Sequence, residues 1–203
     1  MAEITVYKGD LPDTVYFKDA VAVDTETMGL NLHRDRLCLV QLSAGDGTAV
    51  LVQIQKGVDC PNLKRLMQDK SVLKIFHFAR FDVAKILNDL GVVVTPVYCT
   101  KIASKLCRTS SPSHSLKSLC NDLLGIVLQK EQQTSDWGAE TLNQAQQEYA
   151  ANDVLYLHRL KEILDALLVR EGRFELALSC FDFLPTRAKL DLADFAEPDI
   201  FAH

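Results

Sequence analysis

The sequence predicts an α/β fold: a mixed β-sheet, part antiparallel meander and part parallel strands, flanked by helices. Three observations carry this expectation. Aliphatic and β-branched runs fill the first half, one such run leads directly into an amphipathic helix near the middle, and helical spacing dominates the second half. In chain order, residues 21–23, 37–42 and 49–54 read as strands, with turn signals at 33–36 and 44–47 between them. Three such runs at short spacing predict the meander. Residues 61–67 form a short amphipathic stretch and residues 72–76 a fourth strand. A helix follows at once over 78–90, where Phe78, Phe81, Ile86 and Leu90 keep near-helical spacing and Gly91 supplies the stop. Further helices are expected over 97–106, over 115–124 as far as Gly125, and as one long segment from about 142 to 169. The loop between Gly125 and Leu142 is polar and holds Trp137, the chain's one tryptophan.

At 203 residues the chain fits one domain plus an appendage, because globular units commonly run to about 100–200 residues. We place the domain at 1–172 and a C-terminal tail at 173–203. The tail mixes aromatic and acidic residues and is too short for its own core, so it should dock on its own domain or on a neighbouring subunit. Hydrophobic residues make up 48% and charged residues 24%, close enough to the globular average to bury a core. No apolar run approaches the ~18–20 residues a membrane span needs, and the start lacks the regions of a secretory signal; the expected location is cytoplasmic. The six cysteines form no Cys-x-x-Cys pair and no zinc spacing with histidine, which argues against structural zinc and a disulfide framework. A net charge of −5 counts against a protein that tracks long nucleic acid, whereas a short anionic substrate needs only a few local cations.

Asp24 and Glu26 directly follow the apolar run 21–23. An acidic pair at this spacing is weak evidence alone, since chance supplies roughly 3.6 of them in such a composition. Context sharpens it. Residues i and i+2 of a strand share a face, and two carboxylates on one face of a buried sheet repel each other unless a cation lies between them. A solvated strand end is the plain alternative. Asp82 sits one turn into the helix after the fourth strand, where a carboxylate is also ordinary complement to the helix dipole. The strand–turn–helix geometry nevertheless aims that helix start toward the sheet end that carries Asp24 and Glu26. Tyr149 and Asp153, four apart, share a helix face.

Taken in order, Asp24-x-Glu26, Phe81-Asp82 and Tyr149-x-x-x-Asp153 resemble the DEDDy class of 3′ to 5′ exonucleases on a ribonuclease-H-like fold. The likeness to the ribonuclease D group spans about residues 20–165 and includes residues 24–30, 34–42, 77–83, 115–119, 135–137 and 149–157. Ribonuclease D proper carries helical C-terminal domains, for which a chain of this length has no room. This size, with a short aromatic tail, is more similar to the nano-RNase C family, compact enzymes that degrade very short RNAs, dinucleotides included, and assemble into ring-shaped homo-oligomers such as octamers.

The resemblance implies two Mg²⁺ or Mn²⁺ ions per active site. Asp24 would bridge both, Glu26 and Asp153 would complete the ion that holds the attacking water, and Asp82 would hold the second ion through waters. Tyr149 would orient that water, and the products would be nucleoside 5′-monophosphates. Thr25 and Phe81 fall among the expected substrate contacts. Leu30 would wedge between bases or be an ordinary strand-edge leucine; His77 would reach the terminal nucleotide or be a hydrogen-bonded residue at the strand end. His114 and Lys117 would meet phosphate, unless Ser113 or Ser115 caps a helix there. Lys130, Gln133 and Trp137 would hold a short strand by charge and stacking, against the alternative of a buried tryptophan. Lys101, Lys105 and Arg108 share a helix face, either facing phosphate or facing solvent, and Arg187 and Lys189 are placed where they could serve a neighbouring subunit's site.

Competing readings keep the nuclease but enlarge its substrate, to 3′ trimming of tRNA or other structured RNA or to degradation of DNA. A nucleic-acid-binding module without catalysis is a different class, at odds with the presence of all four carboxylates and the tyrosine. An aspartyl-phosphate phosphatase lacks its downstream lysine motif and leaves Tyr149 and Asp153 unexplained.

Overall fold

Among the described residues, 2–128 and 135–202 of a computed structural model, six strands form one sheet. They are β1 (Glu3–Lys8), β2 (Ala20–Thr27), β3 (Leu37–Ser43), β4 (Thr48–Gln53), β5 (Leu73–Phe76) and β6 (Val97–Cys99), in the order β1-β4-β3-β2-β5-β6. The expected meander is present, with β2 antiparallel to β3 and β3 antiparallel to β4. The parallel part comprises β2 with β5, β5 with β6, and β1 with β4.

Two strands depart from the sequence reading. β1 was not anticipated, although Ile4, Val6 and Tyr7 give it β-forming content; it lies at the sheet's edge and none of its residues is fully buried. Residues 97–99, expected as helix, are β6: Val97, Tyr98 and Cys99 complete the sheet beside β5 before the helix starts.

Seven helices surround the sheet: α1 (Pro61–Gln68), α2 (Ala79–Leu90), α3 (Thr100–Cys107), α4 (Leu116–Leu119), α5 (Gln144–Leu155), α6 (Leu157–Arg170) and α7 (Phe174–Leu192), counted among the described residues. A π turn at Cys120–Leu124 extends α4 to Gly125, whose φ of 68° provides the left-handed stop. The long segment expected over 142–169 is two helices, broken at Tyr156 with φ −108° and ψ −4°. A capping box in which Asn143 and Gln146 satisfy each other's backbone fixes the start of α5.

Register decides which side chains meet. Asp24 lies opposite Gln41 and Glu26 opposite Leu39, so these four share a sheet face, while Thr25 opposite Val40 points to the other. On the first face α5 packs against β1, β2, β3 and β4, and Leu39, Leu51, Trp137, Leu142 and Ala150 gather in a small core. The larger core, with Val23, Val40, Leu42 and Ile75, fills the rest of the molecule. β2 and β5 stay paired only from Ala20 to Ala22, yet β2 continues beside β3 to Thr27, so Asp24 and Glu26 stand beyond the last β5 partner. The backbone there is open on one side, and a cleft forms.

The tail folds as α7, which packs against α2, α3, α6 and β6 of the same chain. Asp191 of α7 accepts two 2.7 Å hydrogen bonds from Arg80 of α2 and bonds of 3.1 and 2.7 Å from Arg187. Arg187 also donates to Asp199 and to the Phe195 carbonyl. The notion that Arg187 reaches a neighbouring site is therefore corrected: it is 7% exposed and its donors are spent inside its own chain. All six cysteines are free thiols, and no helix of the described residues is long and apolar enough to cross a membrane.

Candidate active site

Sequence position and backbone path bring the acidic residues together. Asp24 and Glu26 share a face of β2 because they are two apart, and Tyr149 and Asp153 share a face of α5 because they are four apart. One carboxylate oxygen from each of Asp24, Glu26 and Asp153 lies within 4.8 Å of the others. Asp82 arrives from the opposite side. The chain turns from β5 into α2 through Phe78 at φ +67°, a left-handed conformation rare and strained for an aromatic residue. This sharp turn places Asp82, 4% exposed, where its Oδ1 accepts a 2.6 Å hydrogen bond from Thr25 Oγ1.

The electrostatics of the group are unfavourable as it stands. Burial, then the charges of Asp82, Asp153 and Glu26, push Asp24 well above the usual carboxylate range. Burial with Asp153 and Asp82 raises Glu26 to about 9. Asp82 is lifted to about 7 by burial, with the Thr25 hydrogen bond pulling it back, and Asp153 to about 7 by burial and Asp82. Among the described residues, no lysine, arginine or histidine forms an ion pair with any of the four. Four close carboxylates without a cation are the donor set of a hard divalent ion: all oxygen, with no histidine or cysteine in the trio that converges. The residues fit Mg²⁺ or Mn²⁺. Burial and the anions Asp153, Glu26 and Asp24 push the Tyr149 phenol above its ordinary value, which favours the protonated hydroxyl.

The cleft around these groups has a volume of 790 Å³ and is lined by all four carboxylates and Tyr149. Thr25, Leu30, His77, Phe81 and Trp137 also line it. Leu30 projects at 84% exposure, whereas Trp137 is buried at 3% and presents only part of its ring. His77 Nδ1 lies 2.9 Å from Thr100 Oγ1, and burial with the nearby Lys101 charge drives its pKa down to about 3, so the ring is neutral. His114 and Lys117 do not line the cleft. His114 Nδ1 is 2.8 Å from Ser104 Oγ, Lys117 is exposed on α4, and Ser115 caps α4 by accepting from Ser118 N at 3.2 Å. The helix cap expected at Ser113 or Ser115 is thus Ser115. Lys130 and Gln133 lie outside the described residues. Arg108, just after α3, pairs with Asp122, while on α3 Lys105 is exposed and Lys101 Nζ sits 4.2 Å above the Phe78 ring.

Four contributors escaped the sequence reading. Met28, Phe78 and Leu116 form apolar walls of the cleft, and Gln41 Nε2 donates to Asp24 Oδ2 at 3.3 Å. Gln41 could have been found: an amide within the otherwise aliphatic run 37–42 must meet a polar partner once buried.

The family model described as "3'-5' exonuclease" matches residues 10–168. A solved structure of Brucella melitensis NrnC bound to pGG is 56% identical with a TM-score of 0.96, covering 100% of both chains. Another, Brucella melitensis NrnC with bound Mg²⁺, is 55% identical with a TM-score of 0.94 over 99% of each chain. Ribonuclease D of Acidiphilium cryptum is 33% identical over 175 residues, which is 86% of this chain and 44% of that protein. The chain thus spans under half the length of that curated relative.

Proposed function

The chain belongs to the 3′-5′ exonuclease family, and from that premise we propose that it is a metal-dependent exoribonuclease that shortens small oligoribonucleotides from the 3′ end, dinucleotides included, releasing nucleoside 5′-monophosphates. One observation carries the proposal: four carboxylates and a tyrosine from β2, α2 and α5 meet in one cleft, with no ion pair to a cationic side chain among the described residues. Two Mg²⁺ or Mn²⁺ ions bound there would lower the pKa of a water and offset charge on the attacking and leaving oxygens.

The chain's residues then divide the work. Asp24, Glu26, Asp82 and Asp153 are the metal-binding carboxylates, and Thr25 fixes the rotamer of Asp82 through its hydroxyl. Gln41 orients Asp24. Tyr149, protonated beside Asp153, offers its hydroxyl to position the attacking water. The walls Met28, Leu30, Phe78, Phe81 and Leu116 offer apolar and aromatic surface to bases, and such stacking tolerates any sequence. Lys101 over Phe78 is the cation we assign to the substrate's phosphates near that wall. A net charge of −5 and a cleft of 790 Å³ suit a short ligand better than a long duplex. The likeness to an NrnC structure bound to pGG supports the same size class. Assembly into a ring-shaped homo-oligomer is part of the proposal, and the exposed Leu176, Phe183, Phe195 and Phe201 offer apolar contact surface for it.

The ribonuclease D relative favours a second reading, in which longer or structured RNA is the substrate. Incubation of 5′-labelled RNAs of two to about twenty nucleotides with Mg²⁺ separates the two. Successive loss of 3′ mononucleotides, fastest on the shortest RNAs and absent with chelator, is expected. Equal rates at all lengths would move the assignment to the second reading, and internal fragments would reject exonuclease chemistry. Native mass spectrometry at micromolar protein tests the ring, which a monomer would exclude.

A further inference from the structure

The turn at 135–139 forms the cleft wall that carries Trp137, and it is held from behind. Three side chains from separate parts of the chain donate to its carbonyls: Gln146 Nε2 of α5 to Asp136 O at 3.1 Å, Gln53 Nε2 of β4 to Ala139 O at 3.2 Å, and Arg36 Nη2 to Gly138 O at 3.4 Å. Arg36 is itself fixed, since its Nη1 donates to Leu37 O at 3.2 Å and Ile54 O at 3.1 Å. The turn approaches the β2 end so closely that a Cβ on Gly138 would lie 2.5 Å from Met28 Sδ and 3.3 Å from Arg36 Nη2. Removing these donors leaves the carbonyls of the half-buried turn without their side-chain partners and frees the turn to shift.

Trp137 sits between the anchored carbonyls. Its indole N–H has no hydrogen-bond partner among the described residues, where the ring is placed by its backbone and by packing. That ring lies 6.0 Å, centroid to centroid, from Tyr149 at an interplanar angle of 39°. Arg36 and Gln53 do not line the cleft; with Lys8, Lys56 and Glu140 they border a separate 230 Å³ cavity behind Trp137. Trp137 is the partition between the two spaces, since it lines both.

We propose that Arg36 and Gln53 are positioning residues: by clamping the turn at 135–139 they press Trp137 against Tyr149 and so fix where the tyrosine hydroxyl stands in the cleft. A tyrosine on a helix has two soft torsions, and a bracing ring removes that freedom. Displacement of a reacting group by about 1 Å can cost 10²-fold in rate. The proposal rests on the hydrolytic reading above and adds to it two residues remote from substrate and metal.

Arg36→Met and Gln53→Leu test it separately, so that one remains if the other fails to fold by circular dichroism. Two readouts are taken: kcat and KM on a 5′-labelled dinucleotide with Mg²⁺, and fluorescence of the single tryptophan with acrylamide quenching. Each variant should lower kcat roughly 10- to 100-fold with KM little changed, shift Trp137 emission to the red and expose it to quencher. Arg36→Lys, which keeps a donor, should recover part of the loss. In a Tyr149→Phe background the same substitutions should cost nothing further, because the residue they act through is gone. Unchanged kcat despite a shifted emission, or a full additional loss in the Tyr149→Phe background, overturns the proposal. If the wild-type protein hydrolyses no oligonucleotide, it is the hydrolytic reading that fails, and unshifted fluorescence in both variants would then reject the clamp on its own.

Discussion

Thr25 Oγ1 donates to Asp82 Oδ1 at 2.6 Å across 57 residues of sequence, joining the strand that carries Asp24 and Glu26 to the helix that carries Asp82. Thr25 faces away from Asp24 and Glu26 on β2, and its hydroxyl is the direct link from that side of the sheet to the acidic cluster. Replacement by valine keeps shape and strand propensity but removes the donor. Thr25→Val should fold, lose roughly tenfold in kcat and need more Mg²⁺ for half-maximal rate, since a hydrogen bond to a charged group contributes about 1.5–3 kcal/mol. A metal titration of activity reads both numbers, and wild-type behaviour would remove Thr25 from the site.

Without metal the protein should lose stability as pH rises. Glu26, Asp82 and Asp153 titrate near 9, 7 and 7 when folded, above ordinary values of 4.5, 3.8 and 3.8, so the folded state holds the extra protons between those limits. The contribution is complete below about pH 4 and disappears through 7 to 9. Thermal melts in chelator should show Tm falling over that window, with Mg²⁺ restoring most at the alkaline end. A Tm that climbs with pH in chelator contradicts the acidic cluster as the cause.

Asp24→Asn removes one of the repelling charges while preserving size. Activity should drop by at least about 10²-fold, yet the metal-free variant should melt several degrees higher than wild type near pH 8, because like-charge repulsion is relieved. The Mg²⁺-dependent rise in Tm should shrink alongside. Loss of activity together with loss of metal-free stability would point to simple misfolding.

Tyr149→Phe keeps the ring and its contact with Trp137 but loses the hydroxyl. We expect kcat to fall about 10- to 100-fold with the Mg²⁺ requirement unchanged, measured on the same dinucleotide. A change in metal requirement would make Tyr149 part of the ion cage instead.

Asp191→Ala takes from Arg187, 7% exposed, its bonds of 2.7 and 3.1 Å to Asp191 while leaving Asp199 and the Phe195 carbonyl, and it frees Arg80 on the helix of Asp82. Chemical denaturation should register a loss of about 1.5–3 kcal/mol, the contribution of hydrogen bonds between charged groups, since Asp199 still pairs with Arg187. A loss below about 1 kcal/mol, the range of an exposed pair, would show that the tail contributes little to the domain.

Spacing along single elements made much of the site legible. Asp24 with Glu26 and Tyr149 with Asp153 each obey one period, so their shared faces could be read before any coordinates. The helix start that delivers Asp82 was equally visible, because an apolar strand ran straight into an amphipathic pattern. What escaped was set by tertiary context. β1 becomes a strand because β4 offers a parallel edge, and residues 97–99 pair because β5 is beside them. The Ser104 partner of His114 Nδ1, on α3 ten residues upstream, was likewise not readable from spacing. Arg187 looked available until α7 folded against α2 and supplied it with Asp191.

The early parting of β5 from β2 has an engineering consequence. Asp24 and Glu26 are fixed by pairing with β3 alone, while Met28, Leu30 and Trp137 stand on connecting segments that leave that pairing intact. Preference for one ligand over another could thus be rewritten by grafting those connections, with the acidic hardware left untouched on its ribbon.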